Sequence, residues 1–284
     1  MASLLGHAVR FESDSTIALD RVRELVQEYR GHVITADIAH PLCVRVTASS
    51  RTAWPSAGGI RHVSHADGRL TIEGTGVTGT VDPVRREGVA EVDRDLLDNP
   101  DEFRAAVLEP LTLALISHFD RHPVHAAAIV HKGKALLLAG PGGAGKSTLA
   151  YAALRAGYHV LTDDVARIQL EPTVRVWGGP ARVRLRTQGP TKDVHRLDGD
   201  GPAFADAVSV CILGRGGEAR LDHLDGAAVR RHLDHQLAPG FDRFPDRHSA
   251  VMGALTDKGG FHLTLTGNPN DALPLIANML ECAT

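Results

Sequence analysis

Apolar positions along the first third of the chain change period several times. After Asp14 and Ser15, two residues suited to capping, Val22, Leu25, Val26 and Tyr29 recur about every 3.6 residues. They predict a helix that Gly31 stops. Residues 32–35 and 42–47 read as strands, and the β-rich runs 69–73 and 76–82 around Gly74 read as a hairpin. Asn99-Pro100-Asp101-Glu102 starts a helix, with proline near the first position and acids in the first turn. That helix, or a pair broken at Pro110, carries Phe103, Val107, Leu111 and Leu115 on one face. Short mixed elements of this kind predict a small α+β domain over residues 1–98.

The pattern then changes. Residues 124–130 and 135–139 are two apolar strands, joined by His131-Lys132-Gly133-Lys134 as a tight hairpin. The second runs straight into glycine-rich residues 140–145. Residues 146–156 lack breakers and predict a helix ending at Gly157, and a strand at 159–162 leads to Asp163-Asp164. Strand, glycine loop, helix and strand in this order open an α/β nucleotide-binding core, assigned to residues 99–284. Further strands are expected at 167–170, 174–177, 182–186, 208–213 and 261–266, and helices at 225–237 and 272–281. Residues 199–202 and 214–217 read as loops.

Gly140-Pro141-Gly142-Gly143-Ala144-Gly145-Lys146-Ser147 satisfies G-x-x-x-x-G-K-[ST] in full. The glycines let successive main-chain N–H groups turn toward phosphate oxygens, and the helix start adds a favourable partial charge. Lys146 would reach the β- and γ-phosphates, and the Ser147 hydroxyl would hold Mg²⁺. Gly140, Gly142, Gly143, Ala144, Gly145, Lys146, Ser147 and Thr148 are therefore the expected nucleotide contacts. Asp163 and Asp164 end a strand one short helix later, where hard carboxylate oxygens suit Mg²⁺. They could divide the labour, Asp164 steadying the metal and Asp163 accepting the proton of an attacking hydroxyl. The bland alternative is a polar turn.

His125 stands fifteen residues before Gly140, roughly opposite the start of the loop in an antiparallel pair tight at Lys132-Gly133. Residues 124–165, with His125-Ala126-Ala127, the glycine loop, Gly157-Tyr158-His159 and the Asp pair, resemble the core of the HPr kinase family. That P-loop architecture is shared with phosphoenolpyruvate carboxykinases. The resemblance implies an HPr kinase-like P-loop kinase domain and Mg-ATP-dependent phosphorylation of a seryl hydroxyl. It puts His125 in the active site and the Asp pair on metal and base duty. The family's phosphorolytic members carry a Glu-Ile-Arg-Gly-like segment. Residues 178–186 have no glutamate, which favours a one-way kinase. A more diffuse similarity in the remainder points to kinases of peptide natural-product clusters, such as those phosphorylating a lasso-precursor C-terminal serine.

Arg182, Arg184 and Arg186 alternate along a predicted strand and so share one face, suited to triphosphate oxygens, to a substrate carboxylate, or simply to solvent. Arg215, in a glycine-rich loop after an apolar strand, could reach the transferred phosphoryl group. The histidine spacings 118/122/125 and 232/235 are weak signals in a chain of 16 histidines, where accidental spacing is common, so zinc is not expected.

Composition narrows the partners. With 43% hydrophobic residues and a net charge of −3 over 284 residues, the chain is expected to fold and to have no general attraction for nucleic acid. No apolar run reaches the length needed to span a bilayer, and residues 1–10 lack the features of a signal peptide. Three widely spaced cysteines, Cys43, Cys211 and Cys282, suit a reducing, cytoplasmic setting. Only five of 31 basic residues are lysines, which singles out Lys146. The expectation is a cytoplasmic serine kinase using ATP and Mg²⁺ on a peptide or protein carrying an acceptor serine, with self-association left open. A kinase of a small hydroxy metabolite such as free serine, and a nucleotide-dependent regulatory module, are the alternatives.

Overall fold

The computed structural model describes residues 1–29, 39–51, 54, 58–186, 192–197, 201–235 and 245–282. It is a mixed α/β chain that divides into two compact units, Met1–Arg121 and His122–Thr284. Residues 99–121 thus belong with the first unit, not with the second as expected from sequence. The reason is visible in their packing: Phe103, Val107, Leu111 and Leu115 are all fully buried, and the helix they line lies on strands of the first unit.

That unit is built on a seven-stranded mixed sheet. Its strands are β1 (Ala2–Leu4), β2 (His7–Ser13), β3 (Leu42–Ser49), β4 (Arg61–Ser64), β5 (Leu70–Gly74), β6 (Val77–Asp82) and β7 (Glu87–Asp93). They run in the order β1-β2-β3-β7-β6-β5-β4, with β2, β3 and β7 parallel. The expected hairpin is β5–β6. Helix α1 (Thr16–Glu28) starts where Ser15 caps Ala18 N–H, and it buries Ala18, Val22 and Leu25. Residues 31–35, expected to stop that helix and form a strand, lie outside the described residues. After α2 (Arg94–Asp98), Asn99 caps α3 (Pro100–Phe103). The chain continues through a π-helical turn, Arg104–Leu108, into α4 (Glu109–His118), which packs on β3, β6 and β7. Pro110 does not break this run. It stands in the first turn of α4 directly after the wide turn, where a residue without an N–H is tolerated.

The second unit holds three sheets. Strand β8 (His122–Val124) and strand β9 (Ala127–His131) replace the single strand expected over 124–130. Strand β10 (Lys134–Ala139) pairs back on β9 through the Lys132-Gly133 turn, and α5 (Lys146–Arg155) leads to β11 (His159–Thr162). Next come β12 (Ala166–Gln169), β13 (Arg175–Trp177), β14 (Arg182–Arg186), β15 (Lys192–Arg196), β16 (Phe204–Ala205), β17 (Ala207–Arg215) and β18 (Arg220–Leu224). Helices α6 (Gly226–Asp234) and α7 (Pro245–Thr256), strand β19 (Gly260–Leu265) and helix α8 (Leu273–Cys282) finish the unit. Gly214, expected in a loop, is inside β17.

The main sheet runs β11-β9-β10-β17-β19-β18, with β10, β17 and β19 parallel. Strands β9 and β10 at its centre are largely apolar because both faces are covered. Ile129, Leu136 and Leu138 pack with Leu149 of α5 and Ile276 of α8. Ala128, Val130, Leu137 and Ala139 pack on the other face with Val229 of α6 and Val251 of α7. A four-stranded sheet, β16-β13-β12-β8, and the β14–β15 pair complete the unit. No helix among the described residues is long and apolar enough to cross a membrane.

Candidate active site

The glycine-rich loop follows the C-terminal end of β10, and α5 begins at its last glycine. Gly145 occupies the N-cap position at φ +109°, a conformation L side chains rarely adopt, and its carbonyl accepts the first helical hydrogen bond, from Leu149 N–H. Lys146 is buried at 8% exposure, and its Nζ donates to the carbonyls of Gly140 at 2.6 Å and Pro141 at 3.3 Å. The ammonium is thereby held over the loop. Arg215, at the C-terminal end of β17, which is parallel to β10, donates from Nη2 to Gly143 O at 3.2 Å. Ala144 is buried, whereas Gly142, Gly143 and Thr148 are exposed at the loop and in the first helical turn.

The acidic residues arrive at the same sheet end by another route. β9 pairs antiparallel with β11 as far as Ala128–Thr162, and β8 pairs with β12 from Val124–Ala166. Both chains thus pass from the main sheet to the four-stranded sheet at one level, and the residues between the sheets are His125-Ala126 on one chain and Asp163-Asp164-Val165 on the other. This shared crossing brings His125 Nε2 to 3.4 Å from Asp164 Oδ1. The sequence expectation had placed His125 opposite the start of the loop. The ladder in fact ends at Ala127–Leu138, so His125 sits in the bend beyond it.

Asp163 points inward and is 5% exposed. Its Oδ2 accepts the main-chain N–H of Arg184 at 2.7 Å, and burial raises its pKa above the usual carboxylate range while that donor and the guanidinium pull it back. Ser147 Oγ donates to the main-chain carbonyl of Asp163 at 3.4 Å, so the helix start and the acidic pair adjoin. Asp164 is more exposed, and its Oδ2 accepts Arg184 Nη2 at 2.5 Å. The serine hydroxyl and the neighbouring carboxylates supply only oxygen donors, of the hardness Mg²⁺ takes.

Arg184 was marked in the sequence only as one of three arginines on a strand face. Its particular role was hidden because nothing local says which of the three meets the Asp pair. The face itself is as expected: Val183 and Leu185 pack toward the core and the arginines alternate away from it. The Arg186 side chain lies outside the described residues. A second feature not singled out is Gly178. A Cβ there would meet Leu161 O at 2.8 Å, so only glycine allows the segment leading to β14 to press against the end of β11.

The chain matches no family model and no curated protein. Among solved structures, it is similar to the HPr(Ser) kinase/phosphatase from Coxiella burnetii, with 12% identity over 56% of this chain and 96% of that one, at a TM-score of 0.33.

Proposed function

We propose that the chain is an ATP- and Mg²⁺-dependent phosphotransferase that phosphorylates a serine hydroxyl of a peptide or protein. The observation carrying this reading is the convergence of the Lys146–Ser147 loop end with Asp163, through the Ser147–Asp163 contact. A buried carboxylate of raised pKa lies beside a loop whose sequence is that of a phosphate cradle. Such a group is a better proton acceptor than an exposed aspartate.

In this reading the loop amides and Lys146 bind the phosphates, and Ser147 with Asp164 binds the cation. Bound Mg²⁺ would offset the negative charge of the phosphates. Asp163 orients the acceptor hydroxyl and takes its proton as the oxygen–phosphorus bond forms and the bond from the γ-phosphorus to ADP breaks. His125 and Arg215 offset charge on the transferred group. The acceptor best suited is the C-terminal serine of a ribosomally made precursor, recognised with the help of the first unit, in the cytoplasm. The absence of a glutamate in residues 178–186 supports transfer in one direction.

The test is mass spectrometry of candidate peptides, and of free serine, incubated with Mg-ATP and either wild type or Asp163→Asn. Phosphate on a peptide serine with wild type, lost in a variant that still binds ATP, is the expected result. Phosphate on free serine but on no peptide would move the acceptor to the metabolite class. ATP binding with no acceptor modified would favour the regulatory module.

A further inference from the structure

Arg184 meets both members of the Asp pair, with different parts of itself. Its main-chain N–H bonds Asp163 Oδ2 at 2.7 Å, a contact any non-proline residue would make. Its guanidinium bonds Asp164 Oδ2 at 2.5 Å. The strand behind it is fixed: Val183 is fully buried, Leu185 packs on the same core, and Arg184 pairs with Val194 of β15. Asp164 therefore has a guanidinium on one oxygen and His125 on the other. The guanidinium is itself incompletely bonded, since its buried Nε has no hydrogen-bond partner among the described residues and stands 4.0 Å from Asp163 Oδ2. A buried N–H without an acceptor is costly, so this arrangement holds a donor ready for a better partner.

We infer that Arg184 is a positioning residue that occupies Asp164 in the nucleotide-free protein and competes there with a divalent cation. Arrival of the cation displaces the guanidinium, whose fork then suits the phosphate oxygens arriving with it. The inference rests on the reading that Asp164 is a cation ligand.

The consequence runs against the usual effect of deleting a site residue, because removing Arg184 should improve cation binding. Mn²⁺ is the probe, titrated onto the nucleotide-free full chain and followed by electron paramagnetic resonance of the free ion. Arg184→Gln, which keeps the N–H to Asp163, is expected to bind Mn²⁺ roughly five- to tenfold more tightly than wild type, as loss of a neighbouring positive charge implies. Arg184→Lys is expected to stay near wild type. Equal or weaker binding by a folded Arg184→Gln overturns the inference. In wild type, the Nε–H resonance of Arg184, assigned by comparison with Arg184→Lys, is expected to shift and exchange faster on adding Mg²⁺. An unchanged resonance under saturating Mg²⁺ overturns the inference without depending on the folding of any variant. Asp164→Asn separates the two levels. If it binds Mn²⁺ like wild type, the ligand assignment fails and takes the inference with it. If it loses Mn²⁺ while Arg184→Gln gains nothing, the competition alone is wrong.

Discussion

His122 Nε2 lies 2.9 Å from His248 Nδ1, and both rings are buried in the second unit. Burial and the nearby charges of His248, Arg167 and Arg247 lower the His122 pKa to about 3. Between pH 6.5 and 3 the unfolded chain therefore takes up a proton that the folded one refuses, so stability falls as pH drops through that window. The slope for one such group is about 1.4 kcal/mol per pH unit. Urea midpoints at pH 7, 6, 5 and 4 should show the decline, and His122→Phe should flatten it. His7, buried in the first unit with its pKa lowered to about 4, should leave a residual slope of similar size that ends nearer pH 4. A wild-type midpoint unchanged from pH 7 to 4 would contradict this assignment.

Ser147→Ala removes one oxygen of the proposed cation set and leaves the loop backbone alone. Calorimetry should show ATP affinity in the presence of Mg²⁺ falling about tenfold, some 1.4 kcal/mol, with little change in its absence. Equal losses with and without Mg²⁺ would assign Ser147 to the loop's shape rather than to the cation.

Gly178→Ala should cost about 1–3 kcal/mol, because its Cβ meets the rigid carbonyl of Leu161 rather than a side chain that can turn away. The strand it pushes on leads to Asp163, so the melting temperature and phosphate transfer should fall together. A variant that melts like wild type would mean that the backbone relaxes there at no cost.

In the first unit, Arg104 bridges Glu28 through two bonds of 2.6 and 2.7 Å and Glu109 through a third of 2.7 Å, at the π-helical turn. Arg104→Ala strands two half-buried carboxylates and should destabilise by about 2–3 kcal/mol. Arg104→Lys should recover only part of this, since an ammonium lacks the planar fork. Chemical denaturation with resolved midpoints reads both.

The phosphate-loop pattern was more legible in the sequence than the frame that carries it. The loop from Gly140 to Ser147 announces itself because its fixed positions, Gly140, Gly145, Lys146 and Ser147, each meet a steric or charge requirement at a set spacing. Strands such as β7 and β18 and helix α7 escaped, because Glu87–Asp93 carries acids between its apolar residues and Arg220–Leu224 is polar and half-exposed. Pro110 left a continuous helix and a broken pair both open, because a break is the ordinary effect of proline, and only the preceding turn shows why the run continues. Spacing and resemblance single out His125, and the structure sets its Nε2 3.4 Å from Asp164 Oδ1. Arg184 could not be told from Arg182 by the same means, because only the tertiary pairing shows which arginine reaches Asp164.

The crossing of two chains between sheets has a metric consequence. Three residues on each chain separate the Ala128–Thr162 pair from the Val124–Ala166 pair. A single insertion or deletion on one side would offset His125 from Asp164 by about 3.3 Å and turn one of them to the opposite face. The site therefore gauges the length of its two connecting segments as strictly as the identity of their residues, and paired changes of equal length are the ones it could absorb.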